Sequence, residues 1–576
     1  MIKKLPIQAI AFWLFAASVL PAQIPCSAPN SQIDIYGNNI RARLLNGGDL
    51  FWDFNDAQFT PNPSPGIPNP STIFAAGFWI GGLDPAGNLK LAAVKYRANG
   101  STDYRSGPLN ADGTIDNTSC ANWDRFFKVK GADIKAFLDD LPNFANNPSA
   151  AVAAYPSIMG WPGWGNPYFS TLNGFDLPNT PGGLAPFYDA DQNGLYDPLQ
   201  GDYPAVKLQA TPPFVPAEIV WCVFNDQGNG IVHPVTQAWP LQMEVQLTTW
   251  AFNCPDDPVL NNTIFTAHRM LYKYTEPMDS CFVGMWVDFD LGCYTDDYFG
   301  SNPDLNTFFA YNADALDGTG TGTTCNQGVP TFGDHPPVQS VTFLSRKLDK
   351  LVYFVNPSVG SWPTGMTEPI FPYEYYNFLS GTWRDGTPLT YGGLGYNSGS
   401  GIPADYAFPA DPADPNGWSM CTAGIPAADY RMLGTHKIGK LQPGQVEELV
   451  TAWTVHPDPD LPCGLGSTFD EISGVRAQYD SGFANVCSPL TAVDNILEAP
   501  VGVFPNPANN AFTVQYGDLP VRAMRLFSAD GRYVRSWENV PPAQMNLSIE
   551  HFPAGMYTLQ LLTDRGSLSR KVSVMR

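Results

Sequence analysis

Leu241-Gln-Met-Glu-Val-Gln-Leu-Thr-Thr-Trp-Ala-Phe252 opens with a strict apolar–polar alternation. Leu241, Met243, Val245 and Leu247 recur at every second residue, with Gln242, Glu244 and Gln246 between them. A period of two places successive side chains on opposite faces of an extended strand, whereas a helix would space its apolar residues three and four apart. Thr263–Thr275 and Cys281–Asp290 follow at hairpin-like separation. Ile73–Ile80, Leu89–Arg97, Ile219–Phe224, Val338–Leu344, Leu351–Val355 and Val446–Val455 have the same extended character. Helical patterns are confined to Ala132–Leu141 and Ser467–Phe483; in the second, Thr468 and Glu471 have capping-box spacing and Phe469, Ile472, Val475 and Tyr479 share a face. The 53 glycines and 55 prolines supply frequent turns. These features predict an all-β protein whose body is a large antiparallel β-sandwich with few helices.

The first 23 residues, MIKKLPIQAIAFWLFAASVLPAQ, read as a signal peptide: Lys3 and Lys4, a short apolar run from Ile7 to Leu20, then the small residue Ala22. That run is shorter than the ~20 residues a spanning helix needs, and no later segment qualifies, so no transmembrane segment is expected. All ten cysteines lie after the signal and none forms a C-x-x-C pair, which in an exported chain favours disulfides over zinc or redox sites. The net charge of −23 is uneven. Residues 501–576 carry eight basic and five acidic side chains, which leaves residues 24–500 at about −28. Such a body repels nucleic acid and anionic surfaces, and its carboxylates suit calcium.

The chain divides into an acidic body over 24–487, a linker over 488–500 and a tail over 501–576. The tail reads as six or seven short strands, a small Ig-like β-sandwich, with turns at Ala529-Asp530-Gly531 and Asp564-Arg565-Gly566. Four of its segments stand in order: Val503-Phe-Pro-Asn-Pro507, Leu526-Phe-Ser-Ala-Asp-Gly-Arg-Tyr-Val534, Phe552-Pro-Ala-Gly-Met-Tyr-Thr-Leu559 and Ser569-Arg-Lys-Val-Ser-Val574. Pro505 and Pro507, flanking Asn506, end the pairing of the first strand; Asp530-Gly531 permits a tight hairpin; Gly555, two residues before Tyr557, is expected to allow close backbone approach; Lys571 sits in the basic closing strand. Together these segments resemble the type A C-terminal sorting domain of the type IX secretion system of the Bacteroidota. The resemblance implies that the tail is an address read by the secretion machinery. It also implies cleavage within 488–502, followed by release or attachment to surface lipopolysaccharide.

In the body, Asp189-Ala-Asp-Gln-Asn-Gly-Leu-Tyr-Asp197 has the D-x-D-x-N-G-x-x-D spacing of a calcium loop. Asp189, Asp191 and Asn193 would offer side-chain oxygens, Leu195 a carbonyl and Asp197 a carboxylate, with Asp202 completing the shell. Gln200 stands where an EF-hand needs glutamate, so the loop is closer to those of extracellular modules. The alternative is an Asx-rich turn without metal. Asp288 and Asp290 share a strand face, with Asp296, Asp297, Asp304, Asp314 and Asp317 beyond. They are solvated acids, a second cation site or the paired carboxylates of a glycosidase. The aromatic stretches Trp161–Phe169 and Tyr373–Phe378 either stack on sugars or pin loops, and His268 reads as a packed strand residue.

No G-x-S-x-G, H-E-x-x-H or P-loop occurs. Ala76–Leu83, Lys95-Tyr-Arg97 with Gly107-Pro108, Val245–Trp250 and Met285–Gly292 together resemble a recurring group of large secreted Bacteroidota proteins with sorting tails. That resemblance carries over no catalytic residue. The expectation is a type IX cargo at the cell surface or outside it, a non-enzymatic calcium-binding adhesion or glycan-binding protein with a polysaccharide ligand. A glycan-active hydrolase using paired carboxylates is the alternative.

Overall fold

Strand Met243–Ala251 forms where the alternation lies, and all nine of its residues are buried. Its two faces are buried against different things. Met243, Val245 and Leu247 enter the main hydrophobic core, whereas Glu244, Gln246 and Thr248 face a layer of short helices and loops on the other side. The polar half of the alternation therefore marks a second buried interface rather than a solvated face.

The computed structural model of the protein describes residues 26–487 and 501–575, apart from 64–67, 98–100, 145–146, 180–182, 207–213, 229, 319–324, 326–327, 357–360, 458, 460–462, 485, 518, 529–532, 538–539 and 564–565. The expected signal peptide, the linker and Asp530-Gly531 lie outside the described residues. The chain separates into two compact units, 1–488 and 489–576.

The body is built on two nine-stranded antiparallel sheets. In one, Gln32–Ile35, Ile40–Leu45, Asp49–Leu50, Ile73–Leu83, Met278–Phe289, Tyr430–Leu441 and Lys350–Val355 lie side by side. In the other the order is Asp297–Asn302, Thr307–Asn312, Val338–Phe343, Val446–His456, Thr263–Tyr272, Met243–Ala251, Glu218–Asn225 and Arg105–Ser106. Side chains from both sheets, among them Trp79, Trp286, Phe224, Val245 and Trp453, belong to one continuous core, as the period-two pattern requires of a sandwich.

Helices are more numerous than expected but short; among the described residues only Gly131–Phe144 and Thr468–Asp480 exceed ten residues. The second buries Thr468, Ile472 and Val475. Its expected capping box is not formed. Thr468 is already the first helical residue, and Glu471 instead accepts from Ser467 Oγ at 2.6 Å and bonds His456 Nδ1 at 2.7 Å. Glu471 thus divides its two oxygens between the Ser467 hydroxyl and the histidine of strand Val446–His456. Tyr373–Phe378, expected as a loop, lies within the helix Pro372–Leu379, with Glu374 accepting from the backbone N–H groups of Ile370 and Phe371.

Four disulfides close the body: Cys26–Cys120, Cys254–Cys487, Cys293–Cys325 and Cys421–Cys463. Cys222 and Cys281 are free and buried.

The tail has a three-stranded sheet, Gly502–Phe504, Ala511–Gly517 and Ala543–Ser548, and a four-stranded one, Tyr533–Trp537, Val521–Ser528, Gly555–Thr563 and Gly566–Val574. Phe512, Val514, Leu526, Leu559, Leu561 and Val572 fill the core between them.

Candidate functional site

The outer face of the second sheet carries the more closely defined cavity. It is lined by Gln246, Thr248, Ala267 and Arg269 of the sheet with Glu448, by the buried Trp221 and the half-exposed Trp164, and by residues 183–187 and Gly194. The volume is 270 Å³. Arg269 Nη1 donates to Gln246 Oε1 at 2.8 Å, and Gln246 Nε2 donates to the Gly183 carbonyl at 3.2 Å, so the floor is tied to the rim. Deeper in the same strand pair, Glu244 is neutralised by Lys273 at 2.6 Å and accepts from Leu109 N–H at 2.9 Å. The sheet alternation thus delivers polar groups to a closed interface where each must find a partner.

Gly194 belongs to the acidic loop. Asp189, Asp191 and Asp202 bring three carboxylate oxygens within 4.8 Å of one another. Asp202 is held by the N–H groups of Ala190 at 2.8 Å and Asp197 at 2.7 Å, while Asp189 accepts from Asn193 and Gly194. Burial raises the Asp202 carboxyl above its ordinary range, against the pull of those two N–H bonds, and the charges of Asp189 and Asp191 add to the rise. Asn193 turns its amide nitrogen to Asp191 at 2.8 Å. Asp197 is drawn away to cap the 3-10 turn Pro198–Gln200, accepting from Leu199 N–H at 3.1 Å. The Leu195 side chain is exposed. Three of the six expected ligands converge, then, and Gly194 at φ +80° makes the turn that lets them.

The aromatic stretches divide into buried and exposed rings. Trp161 and Phe169 are buried, the former donating to the Pro186 carbonyl at 3.0 Å; Trp164, half-exposed, turns to the cavity. Tyr375 and Phe378 are buried, whereas Tyr373 is exposed and stacks on Phe371 with ring centroids 5.9 Å apart.

Asp288 and Asp290 do share a neighbourhood, and the fold adds Asp429, the oxygens lying within 4.8 Å. No sequence spacing announced Asp429, Tyr96 or Arg431. Asp288 is buried, accepts from the Tyr96 hydroxyl and lies 3.4 Å from Arg431, which also bonds Asp429 at 2.7 Å. Burial pushes Asp288 up to about 7, the Arg431 charge opposing it. Of the pair, only Asp290 lines the larger cavity of 860 Å³, together with Asp56, Arg41, Phe74 and Tyr294.

One arrangement has the connectivity of a hydrolytic triad. Ser340 Oγ is 2.8 Å from His456 Nε2, and His456 Nδ1 is 2.7 Å from Glu471. Ser340 is completely buried between strands, however, so no acyl group can approach its oxygen. His268 is likewise completely buried and stacked on Phe78 at 4.9 Å, as its mid-strand position suggested.

In the tail, strand Gly502–Phe504 ends directly before Pro505. Asn506 Nδ2 donates to the Lys571 carbonyl at 2.8 Å and its Oδ1 accepts from Ser573 N–H at 2.8 Å, so this asparagine clamps the last strand. Tyr557 is buried and its hydroxyl donates to the Pro553 carbonyl at 2.8 Å. The close approach expected at Gly555 is absent: a Cβ there would meet only the Tyr557 ring, at 4.0 Å. Residues 502–575 match the family described as the secretion system C-terminal sorting domain. The tail is a type IX sorting domain. It makes the chain a cargo of the type IX machinery, exported to the cell surface or the extracellular space. No curated protein matches the chain. Among the described residues no helix is long and apolar enough to cross a membrane.

Proposed function

We propose that the cargo delivered by this sorting domain is a non-catalytic glycan-binding protein of the cell surface or its surroundings, and that its binding site is the cavity between Trp164 and Trp221. The observation that carries this reading is the composition of that cavity. The half-exposed Trp164 indole meets the apolar face of a sugar ring, and Arg269 and Glu448 offer donors and acceptors to its hydroxyls. A volume of 270 Å³, near the small end of the ~300–1,000 Å³ usual for ligand pockets, fits one terminal sugar of a polysaccharide or lipopolysaccharide.

Calcium bound by Asp189, Asp191 and Asp202 is part of the same reading, because Gly194 of that loop lies on the cavity rim. Three carboxylates this close repel one another, and a hard divalent cation is the natural counter-charge. The metal would fix the rim rather than touch the sugar. Against the hydrolase alternative stands the tie of Asp288 to Tyr96 and Arg431, which leaves that carboxylate outside the cavity that Asp290 lines.

The test is retention of the full chain on immobilised polysaccharides and lipopolysaccharide, with reducing-sugar release assayed in parallel. Retention that needs calcium and falls at least tenfold in Trp164→Ala and Arg269→Gln is the expected result. Sugar release abolished by Asp290→Asn would make the protein an enzyme instead.

A further inference from the structure

A histidine away from the cavity stands at the seam of the two large sheets. His233 lies in the connection between strands Glu218–Asn225 and Met243–Ala251 of the second sheet. Its ring reaches Leu91 of strand Leu89–Ala92, which pairs with Ile73–Leu83 of the first. The side chain is completely buried. Nδ1 is 2.7 Å from the Leu91 carbonyl oxygen, and Nε2 is 2.7 Å from the Asp226 carbonyl oxygen. A carbonyl oxygen only accepts, so each ring nitrogen has to donate. A neutral imidazole carries one N–H and would set a bare lone pair against an oxygen lone pair. The carboxyls beside the ring cannot supply the missing proton in place, because Asp103 Oδ2 is 3.8 Å from Nδ1 and Asp226 Oδ2 is 3.6 Å from Nε2.

Both carboxyls are already surrounded by donors. Asp226 accepts from Leu241 N–H at 2.5 Å on one oxygen and from Met243 N–H at 2.7 Å on the other. Asp103 Oδ1 accepts from Val235 N–H at 2.8 Å, and its Oδ2 accepts from the Thr236 hydroxyl at 2.7 Å and Ala93 N–H at 3.1 Å. Burial raises both carboxyls, and the charge of His233 is the strongest influence opposing it. Lys90 also acts on Asp226, and Arg105 on Asp103. Tyr104, Tyr272 and Tyr375 face the same pair with hydroxyls that burial keeps protonated. We propose that His233 is held as an imidazolium, with a proton on each ring nitrogen, and that this buried cation is a pH-sensitive clasp between the two sheets. It donates to Leu91 in one sheet and to Asp226 at the end of a strand in the other. Removing either proton turns a hydrogen bond into a repulsion and leaves two buried carboxylates around a neutral ring. The unfolded chain loses this proton above the ordinary histidine value of about 6.5. Above that pH, folding takes up one proton at His233, and the body's unfolding constant rises about tenfold per pH unit on its account. His268 acts in the opposite direction and only below 6.5, so the two effects do not overlap.

The experiment uses the full chain with nitrogen-15 in its histidine rings. The His233 ring is identified by magnetisation transfer to Thr236, whose hydroxyl lies 3.2 Å from the same Leu91 carbonyl, and by its loss in His233→Gln. At pH 7.5 it is expected to show two N–H nitrogens and no pyridine-type nitrogen. Urea unfolding at pH 7 and pH 8 gives the second readout. The unfolding constant of the unaltered body should rise about tenfold more over that interval than that of His233→Gln. A histidine that only packs would leave the two rises equal. Should His233→Gln fail to fold, the spectrum of the unaltered chain decides alone. A pyridine-type nitrogen on the folded ring at pH 7.5 would overturn the proposal, and so would constants that rise equally in chain and variant.

Discussion

The body and the tail are made of the same antiparallel strand pairs but are closed in different ways. In the body, four disulfides join segments up to 233 residues apart, and one core draws on strands from both sheets. The tail contains no cysteine; two small sheets share a core that includes Val, Leu and Phe, and the Asn506 side chain adds two bonds to the last strand, which pairs along its length with Gly555–Thr563. Charge divides the same way, with the acidic side chains concentrated in the body and the tail slightly basic. A sorting domain has to present one recognisable surface, and local contacts suffice for that. An exported body must keep distant residues in register without help from the cytoplasm. Covalent closure and buried polar networks serve that end.

The sharpest way to break this contrast is to remove the longest staple. Cys254→Ser with Cys487→Ser releases a closure spanning 233 residues and is expected to cost the body about 2–5 kcal/mol. Calorimetry of the full chain would show the body's transition moving down while that of the sorting domain stays in place. A common shift of both transitions would mean that the two units do not melt separately.

His268 gives the next largest effect, and it depends on pH. Burial lowers its folded-state pKa to about 3 from the ordinary 6.5, so the folded body accepts only the neutral ring. The unfolded chain binds the proton first, and stability is lost as the pH falls below 6.5 toward 3. At pH 5 this amounts to about 2 kcal/mol for this group alone. His268→Phe keeps an aromatic ring against Phe78 and removes two unpartnered nitrogens. Urea titrations should show the variant gaining more at pH 5 than at pH 8. An equal gain at both values would mean that the ring does not titrate as argued.

Ser340 tests whether the body hides a hydrolase. Ser340→Ala leaves His456 Nε2 without its partner and should cost about 1–2 kcal/mol, because a buried acceptor or donor is abandoned. A fluorophosphonate probe should leave the folded chain unlabelled, since Ser340 is completely buried. Labelling at Ser340 would show that the strands open to admit an ester.

Much of this was legible in the sequence, for reasons that differ between the two regions. The strands at Met243–Ala251 and Val446–His456 follow from period two and from β-branched and aromatic residues, and the Asp189 loop and the tail motifs each lie within a few consecutive residues. What escaped is what the fold assembles. Asp429 and Arg431 reach Asp288 across adjacent strands, and Arg269 reaches Gln246 across another pair. Gly183 and Trp164 join the cavity from the helical layer. Local rules also slipped by a residue where the helix began earlier than its pattern suggested: Ser467, not Thr468, is the cap, and Glu471 bonds both Ser467 and His456. The polar side of an alternating strand signals a different environment; it does not signal water.

Asn506 brings the comparison back to the tail, where the expected effect is smallest and the readout most specific. Its side chain makes two hydrogen bonds, to the Lys571 carbonyl and from Ser573 N–H, both on the exposed rim of the sorting domain. Bonds of this kind are each worth about 0.5–1.5 kcal/mol at most, and less where water can replace them, so Asn506→Ala should lower the tail's own transition by about 1 kcal/mol. The body's transition should not move. Export is the decisive measurement, because the clamp sets the course of the final strand that carries Lys571 and Val572. The variant should accumulate inside the outer membrane with its body folded. Normal export of a destabilised tail would show that the machinery reads another part of the domain, and the clamp would then be purely structural.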